Sequence, residues 1–277
     1  MSRALERYED TLVVRVMRRM IAINGYDRAL ALSAQAFVGL IPTLAIVAAV
    51  LPEGLRQPGL AALVEGLGLS GEATSATAAL VHRPPGVDTL TVLGSVLLVV
   101  SVLGFTRALQ RTYLSAWGLP STGLRGLGGG LLAATALVGG LGGLALLVLV
   151  LALVKGYVLI KLVVHAVAAT LLWWPVQRLL LGGRVGWRPL LPAAALTGSG
   201  QAVVLVLSGT YLPAAISREA TRYGLIGVAV ALVSWLVVLG LLLVFSAVLG
   251  AELAGRDGSP SLARARNTGS RTRRASG

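Results

Sequence analysis

Six apolar blocks dominate the chain, at about 29–51, 89–107, 127–154, 157–176, 189–212 and 224–250. Each reaches or approaches the roughly 20 residues that an α-helix needs to cross a ~30 Å hydrocarbon core. A chain in lipid must satisfy its own backbone polar groups, which makes spanning helices the natural solution. The runs are far longer than the strands of a membrane β-barrel, so that alternative is excluded. Composition agrees. Of 277 residues, 56% are hydrophobic and 13% charged, against about 25% charged in a soluble domain. The predicted fold class is all-α, a polytopic membrane protein with a bundle of six transmembrane helices and an N-terminal amphipathic helix. Its predicted parts are a cytoplasmic amphipathic segment 1–28, a transmembrane domain 29–253 interrupted by an extracytoplasmic loop 52–88, and a disordered basic cytoplasmic tail 254–277.

The net charge is +13, from 24 Lys+Arg against 11 Asp+Glu. In a soluble chain this excess would point to nucleic acid. Here the basic residues sit in short runs between apolar blocks, which is how a membrane protein sets its orientation. Counting the N-terminal segment, the second-to-third and fourth-to-fifth connections and the tail, 18 of the 24 fall on one side. Positive charge marks the cytoplasmic face, so both termini are expected there. An even number of crossings requires the termini to share a side, in agreement. The expected partners are membrane lipids, and no nucleic acid.

Within 1–28, Leu5, Tyr8, Leu12, Val16, Met20 and Ile23 recur every three or four residues, while Arg7, Arg15, Arg18 and Arg19 lie largely elsewhere. That pattern fits a helix on the anionic cytoplasmic leaflet with its arginines toward headgroups. A helix packed against the bundle fits equally. In the loop, Leu60, Leu63, Val64 and Leu67 suggest a short surface helix, ended before His82-Arg83-Pro84-Pro85-Gly86.

Catalytic chemistry finds little support. With 0 Cys and 2 His, disulfides, cysteine–zinc sites and multi-histidine centres are excluded. The eleven acids are scattered over both predicted faces, and His82 and His165 are separated by a predicted span, so no metal cluster of the kind a nuclease needs can be assembled. Gly126-Leu127-Gly128-Gly129-Gly130 lacks the Lys-Ser/Thr of a P-loop, and no G-x-S-x-G elbow occurs. The expectation is a protein that is not an enzyme and carries no metal or cofactor.

Polar residues inside the spans are more informative, because burying them in lipid is costly. His165 is near the centre of the fourth block and shares a helical face with Lys161, four residues earlier. Lys161 is shallow enough to snorkel to headgroups. Gln201 is near the centre of the fifth block, and Gln35 is in the first. His165, Gln201, Gln35 and Lys161 are therefore the candidate substrate path, with His165 and Gln201 meeting at the midplane. The competing reading is that they only hold helices together. Pro42 removes a backbone hydrogen bond inside the first span. Glu252 puts an anion at a helix C-terminus and needs a basic partner, expected from the second-to-third or fourth-to-fifth connection. Trp235 lies mid-helix and is expected in the bundle core. Gly139 and Gly143, like Gly126 and Gly130, have GxxxG spacing, which favours close helix packing within the bundle or, alternatively, homo-oligomer contact through the Gly-rich third helix.

Several strings together resemble a known family over about 18–253. They are Val185-Gly186-Trp187-Arg188-Pro189-Leu190-Leu191-Pro192 at the fifth helix, Tyr223-Gly224-Leu225-Ile226-Gly227 at the sixth, and Leu249-Gly250-Ala251-Glu252-Leu253 at its end. Leu40-Ile41-Pro42 and Arg107-Ala108-Leu109-Gln110-Arg111-Thr112-Tyr113 add to them. The chain resembles the YihY/virulence factor BrkB family of bacterial inner-membrane proteins, formerly labelled ribonuclease BN. It departs from the family pattern at Gly39, where members often carry Ser, and at Gln35 and Ala36, where aromatics are common. The resemblance implies a six-span, multi-pass inner-membrane protein. It also implies a transporter or exporter of lipid-like or small amphiphilic substrate in envelope maintenance. The alternative is a non-transporting scaffold or partner subunit of an envelope complex.

Overall fold

Three changes of direction in this chain are made at glycines with positive φ: Gly118, the pair Gly182 and Gly183, and Gly224. A computed structural model describes residues 11–50, 88–121, 127–153 and 156–256. Seven helices occupy them: α1 (Leu12–Ala22), α2 (Gly25–Val50), α3 (Asp88–Ala116), α4 (Leu127–Leu153), α5 (Val158–Leu180), α6 (Trp187–Thr210) and α7 (Leu212–Arg256). No strand occurs among the described residues. The expected loop helix near Leu60, and the tail beyond 256, lie outside them.

The chain is an all-α polytopic membrane protein. Among the described residues, α4, α5, α6 and α7 contain stretches long and apolar enough to cross a bilayer. α2 and α3, of 26 and 29 residues, overlap the first two apolar blocks. Large apolar side chains such as Val99, Leu131, Val158, Leu159 and Ile226 stand exposed, whereas Thr106, Thr112, His165, Gln177, Thr197 and Ser246 are buried. Water does not tolerate so extensive an apolar surface; hydrocarbon does.

Two helix ends follow one design. α3 is capped by Trp117, after which Gly118 takes φ 64°. The Gly118 amide donates to the Ser115 carbonyl at 3.2 Å and the Leu119 amide to Leu114 at 2.8 Å. α5 ends the same way, with Gly182 at φ 63° donating to Leu179 and Gly183 donating to Arg178, both at 2.9 Å. These are Schellman closures, which need a left-handed residue that glycine supplies without strain. The second produces a tight α5–α6 hairpin. α3 continues nine residues past the apolar block that ends at 107, because Ala108-Leu109-Gln110-Arg111 are good helix formers and no stop occurs before Gly118.

The chain divides into two compact units. Unit 1 comprises 1–30, 106–202 and 240–277. Within it α5 and α6 touch closely at Gly198, where an added methyl would stand 2.6 Å from the Thr170 amide nitrogen and 2.7 Å from the Ala166 carbonyl oxygen. Gly250 of α7 meets Ala193 of α6, its missing methyl falling 3.0 Å from the Ala193 Cα. α4 meets α5 where Gly140 faces Leu172, while Gly139 and Gly143 face open space. The close packing of α4 within unit 1 therefore passes through Gly140, one position round the helix from the expected pair.

Unit 2 comprises 31–105 and 203–239. Residues 212–223, expected as a connection, are helical and are separated from the rest of α7 by Gly224 (φ 58°, ψ −138°). Leu212 and Ile216 fold onto Val228 and Ala231, with Trp235 packed against them. Gly227 lies directly against the Glu219 carbonyl. The string Tyr223-Gly224-Leu225-Ile226-Gly227 is thus a helical hairpin, one glycine making the bend and the other admitting the returning arm.

Gly198→Ala is expected to lower thermal stability in detergent by about 1–3 kcal/mol, because its methyl meets backbone rather than a pliable side chain. Gly139→Ala, facing open space, is expected to be neutral or stabilising by up to about 1 kcal/mol. Parallel melting curves of the two purified variants check the contrast.

Candidate functional site: the polar face of the fifth helix

α5 buries one face, made of His165, Ala169, Trp173, Val176, Gln177 and Leu180. Four-residue steps place His165, Ala169, Trp173 and Gln177 on a slanting stripe that drifts about 40° per step and rises about 18 Å at 1.5 Å per residue. Three of these four carry polar atoms, an unusual content for the buried face of an apolar helix.

The α5–α6 hairpin sets their partners. The two helices are antiparallel, so a step of four back along α5 meets a step of four forward along α6. Gln177 Nε2 donates to Thr197 Oγ1 at 3.4 Å, and one turn away Trp173 Nε1 donates to Gln201 Oε1 at 2.9 Å. Gln177 Nε2 also donates to the Tyr113 hydroxyl of α3 at 3.2 Å. Thr197 passes its own hydroxyl hydrogen to the Ala193 carbonyl at 2.9 Å. Tyr113, Gln177 and Thr197 are fully buried. Gln177 Oε1 and His165 Nδ1 are buried with no hydrogen-bond partner among the described residues.

This arrangement differs from the expected midplane pair. Gln201 is engaged by Trp173, about 12 Å along α5 from His165 at 1.5 Å per residue, so the two are not brought together. The reason is register, which the length of the α5–α6 turn decides. Lys161 is half-exposed one turn beyond His165. Gln35 belongs to unit 2, where its side-chain oxygen lies against Gly104 of α3. α2 continues through Pro42, and Thr43 Oγ1 donates to the Gly39 carbonyl at 2.6 Å. Gln177 and Tyr113 are the members that sequence reasoning passed over. The signal was the 165–169–173–177 spacing, which extends the His165 face by three turns.

At one end of unit 1 a second polar group forms. Glu252, near the end of α7, pairs with Arg15 at 3.3 Å and lies 3.9 Å from Arg19. Its partners come from α1, not from the two connections expected, where Arg178 and Arg184 are turned to backbone carbonyls instead. Arg178 donates to the Val185 carbonyl at 2.7 Å and stacks over Trp187 at 4.9 Å. Arg184 donates to the Leu181 and Pro120 carbonyls at 3.1 and 3.0 Å, and burial lowers its pKa from the ordinary value. Trp174 meets Trp187 edge to face at 5.5 Å and donates to its carbonyl. Arg19 donates twice to the Ala116 carbonyl, at 3.1 and 2.9 Å. Arg28 reaches the Ile23 carbonyl at 2.6 Å and the Ser115 hydroxyl at 3.1 Å.

Tyr113 and Gln177 are expected to be energetically coupled. Gln177→Leu removes one of the two side-chain partners of the Tyr113 hydroxyl, the other being Thr197, and should cost about 0.5–1.5 kcal/mol. Adding Tyr113→Phe should cost less than it does alone, with a coupling of about 0.5–3 kcal/mol. A double-mutant cycle of unfolding in mixed micelles measures it, and strict additivity would contradict the hydrogen bond.

Comparison with curated proteins and with solved structures found no match in either. A family model described as Virulence factor BrkB matches residues 16–270. It runs from within α1 to beyond the end of α7 and so includes the polar face of α5, Arg19 and Glu252, and the Gly224 hairpin, with Arg15 one residue before its start. The chain belongs to the virulence factor BrkB family.

Proposed function

We propose that the protein is a non-enzymatic transporter or exporter in the bacterial inner membrane, crossing it six times with both termini in the cytoplasm and moving a lipid-like or small amphiphilic substrate. The observation that carries this reading is the polar face of α5. His165 Nδ1 and Gln177 Oε1 are buried polar atoms without partners among the described residues. An unsatisfied buried polar atom costs about 1–3 kcal/mol, a cost that a purely structural helix avoids. Polar atoms lining one helix through the bilayer are how membrane proteins mark a solute or ion route. Lys161 extends the row toward the far end of α5, and Gln35 is a further polar residue of the path in unit 2. The topology is supported by the convergence of α1, the end of α3, the α5–α6 turn and the end of α7 through arginine contacts. That end carries most of the basic side chains among the described residues, as a cytoplasmic face does.

A second reading, a scaffold in an envelope complex, is favoured by one observation. The Trp173–Gln201 bond occupies the polar atoms near the middle of α6 and holds two helices together, as interhelical hydrogen bonds commonly do.

Reconstituted into liposomes, the wild-type chain should accelerate either phospholipid scrambling or flux of a small amphiphile over protein-free vesicles. His165→Ala and Gln177→Ala should each reduce that rate by about ten-fold, the scale of one charge-assisted or buried polar contact. Absence of any flux from correctly folded protein favours the scaffold. The lack of cysteine permits a clean topology measurement. Single cysteines at Thr11, Pro120 and Gly255 should resist an impermeant thiol reagent on spheroplasts, and one at Pro85 should react.

A further inference from the structure

α1 is divided into three sectors rather than two. At 100° per residue, Leu12, Val16, Arg19 and Met20 fall on one side. Val16 is buried there, and Arg19 holds the Ala116 carbonyl. Thr11, Arg18 and Ala22 are exposed and fall within about 40° of one another. Val13, Met17 and Ile21 form the third sector, within about 80°. They are 71%, 55% and 73% exposed. Of the two arrangements the sequence leaves open, this is the one in which the Leu12–Val16–Met20 face packs against the bundle. Arg15 and Arg19 turn to the protein, and a different apolar stripe looks outward.

We infer that α1 is an in-plane helix whose Val13–Met17–Ile21 face is inserted into the lipid leaflet at its end of unit 1, while Arg15 and Arg19 fasten it to α7 and α3. Three observations name lipid as the occupant. The stripe continues, after the turn at Asn24 (φ 51°), into exposed Tyr26 and Leu30 at the start of α2, and α2 runs straight into an apolar block. The face is thus continuous with a helix of the membrane domain. The sector flanking it carries Arg18 and Thr11, polar groups suited to phosphate headgroups. The opposite side is held by Arg15–Glu252 and Arg19–Ala116, so the helix cannot roll to hide the stripe against its own bundle. In-plane helices of this kind bury their apolar face about 5–10 Å into the headgroup–acyl boundary. The inference rests on the membrane character of the fold and is independent of transport.

Single cysteines at Met17, Ile21 and Ala22 of the full chain, labelled with an environment-sensitive fluorophore, test it in phosphatidylglycerol–phosphatidylethanolamine liposomes. Labels at Met17 and Ile21 should emit at shorter wavelength than the label at Ala22. They should be quenched at least about two-fold more by lipids carrying a quencher on the acyl chain, as an inserted face requires. The Ala22 label should respond more to aqueous iodide. Equal iodide quenching at all three sites would overturn the inference, since the stripe would then face water. Self-quenching at Met17 relieved by dilution with unlabelled protein would overturn it too, by assigning the stripe to a second copy of the chain.

Discussion

The guanidinium of Arg19 joins three parts of unit 1. It donates twice to the Ala116 carbonyl and lies 3.9 Å from Glu252. A helix ends with carbonyls that lack intrahelical partners and with the negative pole of its dipole. In α3 the turn through Gly118 satisfies Tyr113, Leu114 and Ser115 from the backbone. Ala116 is the carbonyl left over, and Arg19 takes it. Glu252 adds an anion at the end of α7, where the dipole alone would repel it. Arg15 and Arg19 offset that repulsion. The location of α1 therefore follows from two helix ends that need positive charge, and Arg28, Arg178 and Arg184 serve carbonyls in the same way.

The polar face of α5 depends on a different constraint, close helix approach. Gly198 has no side chain to hold α5 and α6 apart. That contact brings the Gln177 amide within reach of Thr197, and the Trp173 indole within reach of Gln201. Single bonds of this kind contribute only about 0.6 kcal/mol in a membrane protein. Their value lies in register, because the pairs match only when the two helices are aligned as the Gly182–Gly183 turn aligns them. Polar atoms left without partners in such a frame are conspicuous, since small rearrangements of rigidly packed helices cannot satisfy them.

The helices were largely legible in the sequence, because a long apolar run has few alternatives to helix in lipid. The helical 212–223 was not legible. Ser217, Arg218, Glu219 and Arg222 give it the polarity of a loop, and only its packing against Val228 and Ala231 explains its form. Counting arginines says nothing of what each one touches, which depends on contacts across more than a hundred residues, as for Arg15 and Glu252. Of the candidate path, His165 was found from its cost in lipid. Gln177 was missed because it lies near Arg178 and Arg184, where a polar residue attracts no notice.

The Arg15–Glu252 contact also orders events in time. The two residues are 237 positions apart, and Arg15 is made before Glu252. α1 emerges from the ribosome before any helix it will grip. Until the carboxyl-terminal helix is delivered, its arginines have no acidic partner from that helix. The grip of Arg19 on the Ala116 carbonyl can thus form before the ion pair with Glu252, which is the later of the two contacts to close.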